Sequence, residues 1–290
     1  MINPFAEKTS ATDDENKLIE QSLEGDLQAL EKIIQRHQAW IFNIAFRMVC
    51  DPDDAQDITQ EILVKIITKM SQFDPEKSSF RTWLYRIVVN YVISMKRTKY
   101  EKLVVNFEES HSHEQIPDER SDSSPANNML IEESKIGCYL GSLLCFNRKE
   151  RLVFILGAIF SIDSTMGGEI MGIAASNYRQ ILSRSRKKLS NFVNHKCGLL
   201  NKNNSCLCSN HIKEYMDAGW LNPNKLVYFK GEEQRVKDIV HKRINDSHLI
   251  HYRECVDMFR DHPFYTQFDF TNKISELIKS NEFKQVFHLH

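Results

Sequence analysis

The sequence predicts an all-α chain. It has two helical domains joined by a flexible acidic linker, followed by a mostly helical, cysteine-containing extension. Three observations carry that reading. Apolar residues recur at three- and four-residue steps through most of the chain, as in Phe80, Leu84, Ile87, Val88, Tyr91 and Met95. Strong helix-start signals precede these runs, above all Asp51-Pro52-Asp53-Asp54, where an Asp can accept free amide protons and Pro fits the first turn. Between 100 and 127 the apolar positions thin out, and acids, Ser and His take over with Pro117 and Pro125.

Whole-chain totals exclude some classes. The 290 residues hold 38 Lys and Arg against 39 Asp and Glu, a net charge of −1, so no global basic signal exists. The charge is segregated instead. Residues 106–134 carry eight acids and one base, Arg120, whereas residues 176–196 carry six bases and no acid. An anionic partner would be gripped in separate basic places. The N-terminus lacks an apolar core, and the apolar run Leu152–Phe160 is far short of the roughly 20 residues a bilayer demands. A cytoplasmic protein with no membrane segment is expected. Of the seven cysteines, Cys50, Cys138, Cys145 and Cys255 are scattered and read as small core residues, while Cys197, Cys206 and Cys208 cluster.

In order, residues 1–14 read as disordered, and 15–99 as the first domain. A helix near Glu15 is followed by a restart at Gly25-Asp26, with Asp26 as cap and a long amphipathic helix through Met48. The helix after Asp51 runs to about Met70, with Ile58, Ile62, Ile66 and Met70 inward and Asp54, Asp57, Gln60 and Glu61 outward. A loop, 72–79, leads into a helix over 78–97. That helix has an apolar stripe on one side. From Arg81 to Lys99 the sequence carries five bases and no acid, with Trp83, Tyr85 and Asn90 between the faces. Cations neutralise phosphate, aromatic rings stack on unpaired bases, and an amide reads a base edge.

The second domain spans 128–196. One helix covers Leu130 to Leu144, and Asn147 with Glu150 has capping-box spacing for another through Phe160. Ser164 or Thr165 caps a short helix ending near Met171. Gly172-Ile173-Ala174 is a tight turn, and Ser176 precedes a basic helix. Short helix, glycine turn, longer basic helix is the helix-turn-helix pattern. The extension, 197–290, has helical stretches at 210–218, 232–245, 247–260 and 271–280. Three cysteines within twelve residues, with His211 three beyond the last, form a candidate Cys₃His zinc set: Cys197, Cys206, Cys208 and His211, with His195 and Cys255 as alternative fourth ligands.

Two segments then resemble a known family. Residues 25–97 are similar to region 2, and residues 130–193 to region 4, of an extracytoplasmic-function (ECF) sigma factor of the sigma-70 family. The carrying residues are Asp54-Ala55-Gln56-Asp57-Ile58-Thr59-Gln60-Glu61, Phe80-Arg81-Thr82-Trp83-Leu84-Tyr85-Arg86 with Asn90, and Ser183-Arg184-Ser185-Arg186-Lys187-Lys188-Leu189. The resemblance implies a non-enzymatic promoter-specificity subunit of bacterial RNA polymerase, engaging the β′ clamp and the β flap. The face of Asp54, Asp57, Gln60 and Glu61 would meet the β′ clamp. Lys77, Ser79, Arg81, Trp83, Tyr85, Arg86, Asn90, Lys96 and Arg97 would hold −10 promoter DNA as it opens. Ser176, Asn177, Arg179, Gln180, Ser183, Arg184 and Lys187 would enter the −35 major groove. The acidic linker would thread along polymerase channels that otherwise carry nucleic acid. An anti-sigma factor or a recruiting protein is a further expected partner class. The sequence departs from the family at Gly167-Gly168 inside a helix and at Tyr178, where a small β-branched residue is usual.

Two other readings compete. A stand-alone helix-turn-helix regulator would not need the polar face of Asp57, Gln60 and Glu61. A metalloenzyme built on the cysteine segment lacks a carboxylate–histidine pattern, a phosphate loop and a nucleophile–base pair.

Overall fold

The computed structural model describes residues 10–104, 107, 125–198, 203–228, 256, 259, 260, 269–271, 274 and 276. Among them every element is helical, apart from an isolated bridge between Cys197 and Cys206. Helix α1 spans Ser10–Leu23, α2 Leu27–Val49, α3 Pro52–Lys69, α4 Phe80–Ser94 and α5 Lys99–Leu103. Helix α6 spans Pro125–Gly141 and α7 Arg148–Phe154, which runs on into a π-helical turn, Ile155–Ile159. Helices α8 (Ser164–Met171), α9 (Ala175–Lys196) and α10 (Ile212–Asp217) follow. None of the described helices is long and apolar enough to cross a membrane.

The caps explain the boundaries. Asp26 accepts from the amides of Gln28 and Ala29 and starts α2, while Cys50 at φ +57° ends it in the left-handed conformation. Asp51 accepts from the Asp54 amide with Pro52 in the first turn of α3. Ser79 caps α4 through the Thr82 amide, and Asn147 caps α7 through that of Glu150. Elsewhere the caps differ from expectation. Asp163, not Ser164 or Thr165, accepts from two amides at the start of α8, and α9 begins at Ala175, one residue ahead of Ser176. Helix α1 starts at Ser10, so residues 10–14 are helical where disorder was expected, and residues 1–9 lie outside the described residues.

The apolar faces form one continuous core, not two. Helix α2 lies at its centre, packed by α1, α3, α4 and α7; α8 packs on both α9 and α4. Trp40 of α2 meets Phe160, with ring centroids 4.5 Å apart. The opening of the expected linker is part of this body. Glu101 in α5 is buried and receives Arg148 Nε and Nη2 at 3.0 and 2.6 Å and Arg151 Nη1 at 2.8 Å. Arg148 also donates to the carbonyls of Ile93, Met95 and Lys96, so it closes the C-terminal end of α4. Two arginines of the second domain thus satisfy the last turns of the first. Of the rest of the linker, 105, 106 and 108–124 lie outside the described residues, and 125–127 belong to α6, not to a linker.

Of the helices expected beyond 228, the stretch 232–245 lies outside the described residues. Val256, Phe259, Phe270 and Ile274 are described, and all four are buried in the same core.

Candidate nucleic-acid interface

Three surfaces carry the residues singled out in the sequence. The first is the outer face of α3, where Asp57 and Glu61 are exposed and Asp54 and Gln60 half-buried. Partial burial raises the Asp54 carboxyl, and the neighbouring Asp51, Asp57 and Asp53 raise it further. The face is therefore dense in like charge, an arrangement that favours a cationic partner. Glu61 accepts from the Tyr91 hydroxyl of α4, and Lys65 lies over the Tyr91 ring, 4.6 Å from its centroid. These contacts fix α4 beside the acidic face.

The second surface is α4 with the loop before it. Asn90, Lys96 and Arg97 are exposed, as are Lys77 and Ser79, with Lys77 paired to Asp74 at 2.7 Å. Other members of the expected set are placed differently. Tyr85 is 1% exposed and packs edge-on to His37, so neither face of its ring is open to a base. Its position follows from the spacing, because Tyr85 shares the inward face with Leu84, Val88, Val89 and Val92. Arg81 is only 14% exposed at its side chain and meets the buried carboxylate of Glu15 at 3.3 Å. Glu15 also lies 3.0 Å from His37 Nε2. Desolvation raises the Glu15 carboxyl, but His37 and Arg81 outweigh it and hold it below the usual value. Trp83 is half-buried, with Phe80 stacked at 5.5 Å and Phe73 at 5.7 Å. Arg86 donates from Nε to the Glu169 carbonyl at 3.1 Å, and Thr82 is buried and donates to Met166 Sδ at 3.7 Å. Helix α8 therefore covers part of the face that α4 was expected to offer.

The third surface is α9. Ser176, Asn177, Arg179, Gln180, Ser183, Arg184 and Lys187 are all exposed, while Tyr178, Ile181, Leu182, Ser185 and Leu189 face inward. The seven polar residues share one side because helical spacing returns them to it every three or four positions. Arg179 donates to Ser164 Oγ at 3.0 Å, which steadies α9 against α8. The turn between the helices needs Gly172 at φ +63°, and Gly168 lets α8 come close, since a Cβ there would lie 2.8 Å from the Ile173 carbonyl.

The candidate zinc set is brought only partly together. Cys206 Sγ lies 3.4 Å from His211 Nε2, and His211 Nδ1 lies 3.0 Å from Glu214. Burial pushes the Cys206 thiol up to about 11, with Cys138 and Cys197 adding to the rise. Cys138, read from the sequence as scattered, therefore belongs to this cluster. Among the described residues no three His, Cys, Asp or Glu side chains stand close enough to hold a metal ion.

Comparison with known proteins decides the family. A model of sigma-70 region 2 matches residues 33–101, covering α3 and α4. The ECF RNA polymerase sigma-E factor of Escherichia coli strain K12 is 31% identical over 185 residues, spanning 61% of this chain and 92% of that protein. The chain belongs to the ECF sigma factors of the sigma-70 family. It directs transcription initiation as an alternative sigma factor, and its partners as a class are core RNA polymerase and promoter DNA. Another relative, the ECF RNA polymerase sigma factor SigW of Bacillus subtilis strain 168, is 26% identical over 183 residues, or 60% of this chain and 93% of that one. Sigma factors of this family are non-enzymatic initiation factors. Both relatives are matched over nearly their whole length, so about two fifths of this sigma factor lies outside the alignment.

Proposed function

We propose that α3 supplies the docking face for the polymerase clamp, with Asp54, Asp57, Gln60 and Glu61 as its contacts. The carrying observation is an exposed acidic face fixed to the promoter helix through Glu61 and Tyr91. Polymerase seated on α3 would hold α4 at the point where the duplex opens. Changing Asp57 and Glu61 together to Ala is expected to weaken core polymerase binding at least about tenfold, or 1.4 kcal/mol. Fluorescence anisotropy of labelled sigma factor titrated with core polymerase measures this. Unchanged affinity would refute the assignment.

In this reading α4 holds the melted −10 strand through Asn90, Lys96 and Arg97, with Trp83 offering the exposed part of its ring. A strand separates at a cost of about 1.4 kcal/mol per base-pair step, and stacking returns about 1–3 kcal/mol per base. Asn90 is the cleanest probe, because it is exposed and its loss disturbs no packing. Asn90→Ala is expected to leave polymerase affinity intact and to reduce permanganate reactivity of promoter thymines in the holoenzyme complex. Full reactivity would remove Asn90 from the role. The α9 face would read −35 DNA, Arg184 suiting guanine and Gln180 adenine. The β′ clamp and β flap are the proposed polymerase sites. A recruiting protein or anti-sigma factor would compete for the same surfaces.

A further inference from the structure

The residues that the promoter helix shares with the second domain imply a cost to opening, and the extension raises it. Thr82 and Arg86 of α4 are engaged by Met166 and Glu169 of α8. The Glu169 carboxylate also stands 3.7 Å from Arg86, where a phosphate would otherwise approach. Strand binding along this part of α4 and packing of α8 on it exclude each other.

Two points of the extension bind both domains at once. Tyr228 donates its hydroxyl to the carbonyl of Cys50, the residue that ends α2, at 2.6 Å. The Val227 and Tyr228 amides donate to the Glu133 carboxylate of α6 at 2.6 and 3.0 Å. The second point is Phe259 with Arg260. The Phe259 ring is fully buried, stacked on Tyr139 at 3.9 Å and edge-on to Phe154, while its carbonyl accepts from Arg47 of α2 at 3.3 Å. Arg260 donates from Nε and Nη2 to the Ala158 carbonyl at 3.1 and 2.7 Å, and from Nη2 to Ser161 Oγ at 2.8 Å. It thus satisfies the end of the π turn, whose last carbonyls have no helical partner. Each point joins α2 of the first domain to a helix of the second.

We propose that the extension is an intramolecular clasp: through Tyr228, Phe259 and Arg260 it holds the two domains closed, keeping α8 on the promoter helix and restraining DNA access. The consequence for DNA rests on the reading of α4 as a strand-binding helix; the clasp itself does not. The test uses full-length protein carrying Tyr228→Phe, Arg260→Ala or both. Arg260 is exposed, and Tyr228→Phe removes only a hydroxyl, so neither change empties the core. Hydrogen exchange over 164–171 is a sensitive readout, because an eight-residue helix is marginal without its packing. The double variant is expected to exchange about tenfold faster there, the equilibrium change for losing one charge-assisted hydrogen bond, with residues 41–48 unchanged. Its affinity for fluorescein-labelled, mixed-sequence single-stranded DNA is expected to rise by a similar factor. Unaltered exchange over 164–171 in the double variant would overturn the clasp. Faster exchange without any gain in DNA affinity, in a protein whose DNA binding is also insensitive to Asn90→Ala, would keep the clasp and overturn the reading of α4.

Discussion

Replacing Arg151 with Ala is expected to lower the unfolding free energy by about 3–5 kcal/mol, the loss found when one partner of a buried charge pair is removed. Arg151 is 3% exposed and spends its guanidinium on Glu101 and on the carbonyls of Met48, Leu143, Leu144 and Phe146. Truncation removes a buried donor from each of those carbonyls and leaves Glu101 with Arg148 and the Thr98 amide. Against a total stability of about 5–15 kcal/mol, that is a large fraction. Urea denaturation at neutral pH, with a lower midpoint and an unchanged slope, measures it. A loss below about 1 kcal/mol would show that the cluster is better solvated than its burial implies. The pair Arg151→Met with Glu101→Leu should cost less than the two single changes combined, because the most deeply buried cation and its carboxylate leave together and only Arg148, 16% exposed, loses its acidic partner. Acid acts on the same site. Desolvation raises the Glu101 carboxyl, but the Arg148 hydrogen bond and the Arg151 charge outweigh it and hold the group below its ordinary 4.5. A carboxyl depressed in the folded state contributes its full stabilisation above 4.5, and that contribution falls away as pH drops below 4.5 through the folded value. The Arg151→Ala protein should therefore show a flatter loss of stability over that acid range.

Most of the helices were legible because their signals are local. Asp26, Asp51 and Asn147 each announce a helix start within four residues, and three-to-four spacing separates the exposed side of α9 from its buried side without tertiary knowledge. What depended on long-range packing was not legible. Tyr85 is the local exception, since its spacing from Val88, Val89 and Val92 already places it on the inward face, where it meets His37. Arg81 looks like a phosphate contact until Glu15, distant in sequence, takes it. Acidic composition after Tyr100 marks a linker, yet the first acid there, Glu101, is the buried anchor for two arginines. No local signal marked Arg151, which follows Arg148, Lys149 and Glu150 and reads as one more polar residue of a helix start. The merging of two expected domains into one core follows from these non-local pairs, and from an extension whose aromatic residues carry no register of their own.

The Gly167–Tyr178 pair turns two apparent departures into one fitted contact, and a sign reversal tests it. A Cβ on Gly167 would lie 2.4 Å from Tyr178 Cζ, and one on Gly157 would lie 2.9 Å from its hydroxyl oxygen. Tyr178 has no exposed surface, and its hydroxyl donates toward the Val153 carbonyl at 3.4 Å. The ring cannot swing aside, so the two glycines leave the room that it fills. Gly167→Ala gains about 1 kcal/mol of helix propensity in α8 but overpacks the ring, at about 1–3 kcal/mol. A net loss of up to about 2 kcal/mol is expected. Tyr178→Val alone should cost about 2–4 kcal/mol, since it empties a filled site and drops the hydroxyl contact. With Val at 178 the clash is gone, and Gly167→Ala is then expected to stabilise by about 1 kcal/mol. A double-mutant cycle in urea measures the coupling directly, and additive effects of the same sign would overturn the account. The outcome bears on promoter recognition, because Tyr178 is the inward neighbour of Asn177 and Arg179. A large ring seated in glycines keeps α8 and α9 close while leaving every polar residue on the α9 face exposed. The two departures therefore alter how α8 and α9 pack, not which side chains stand exposed on α9.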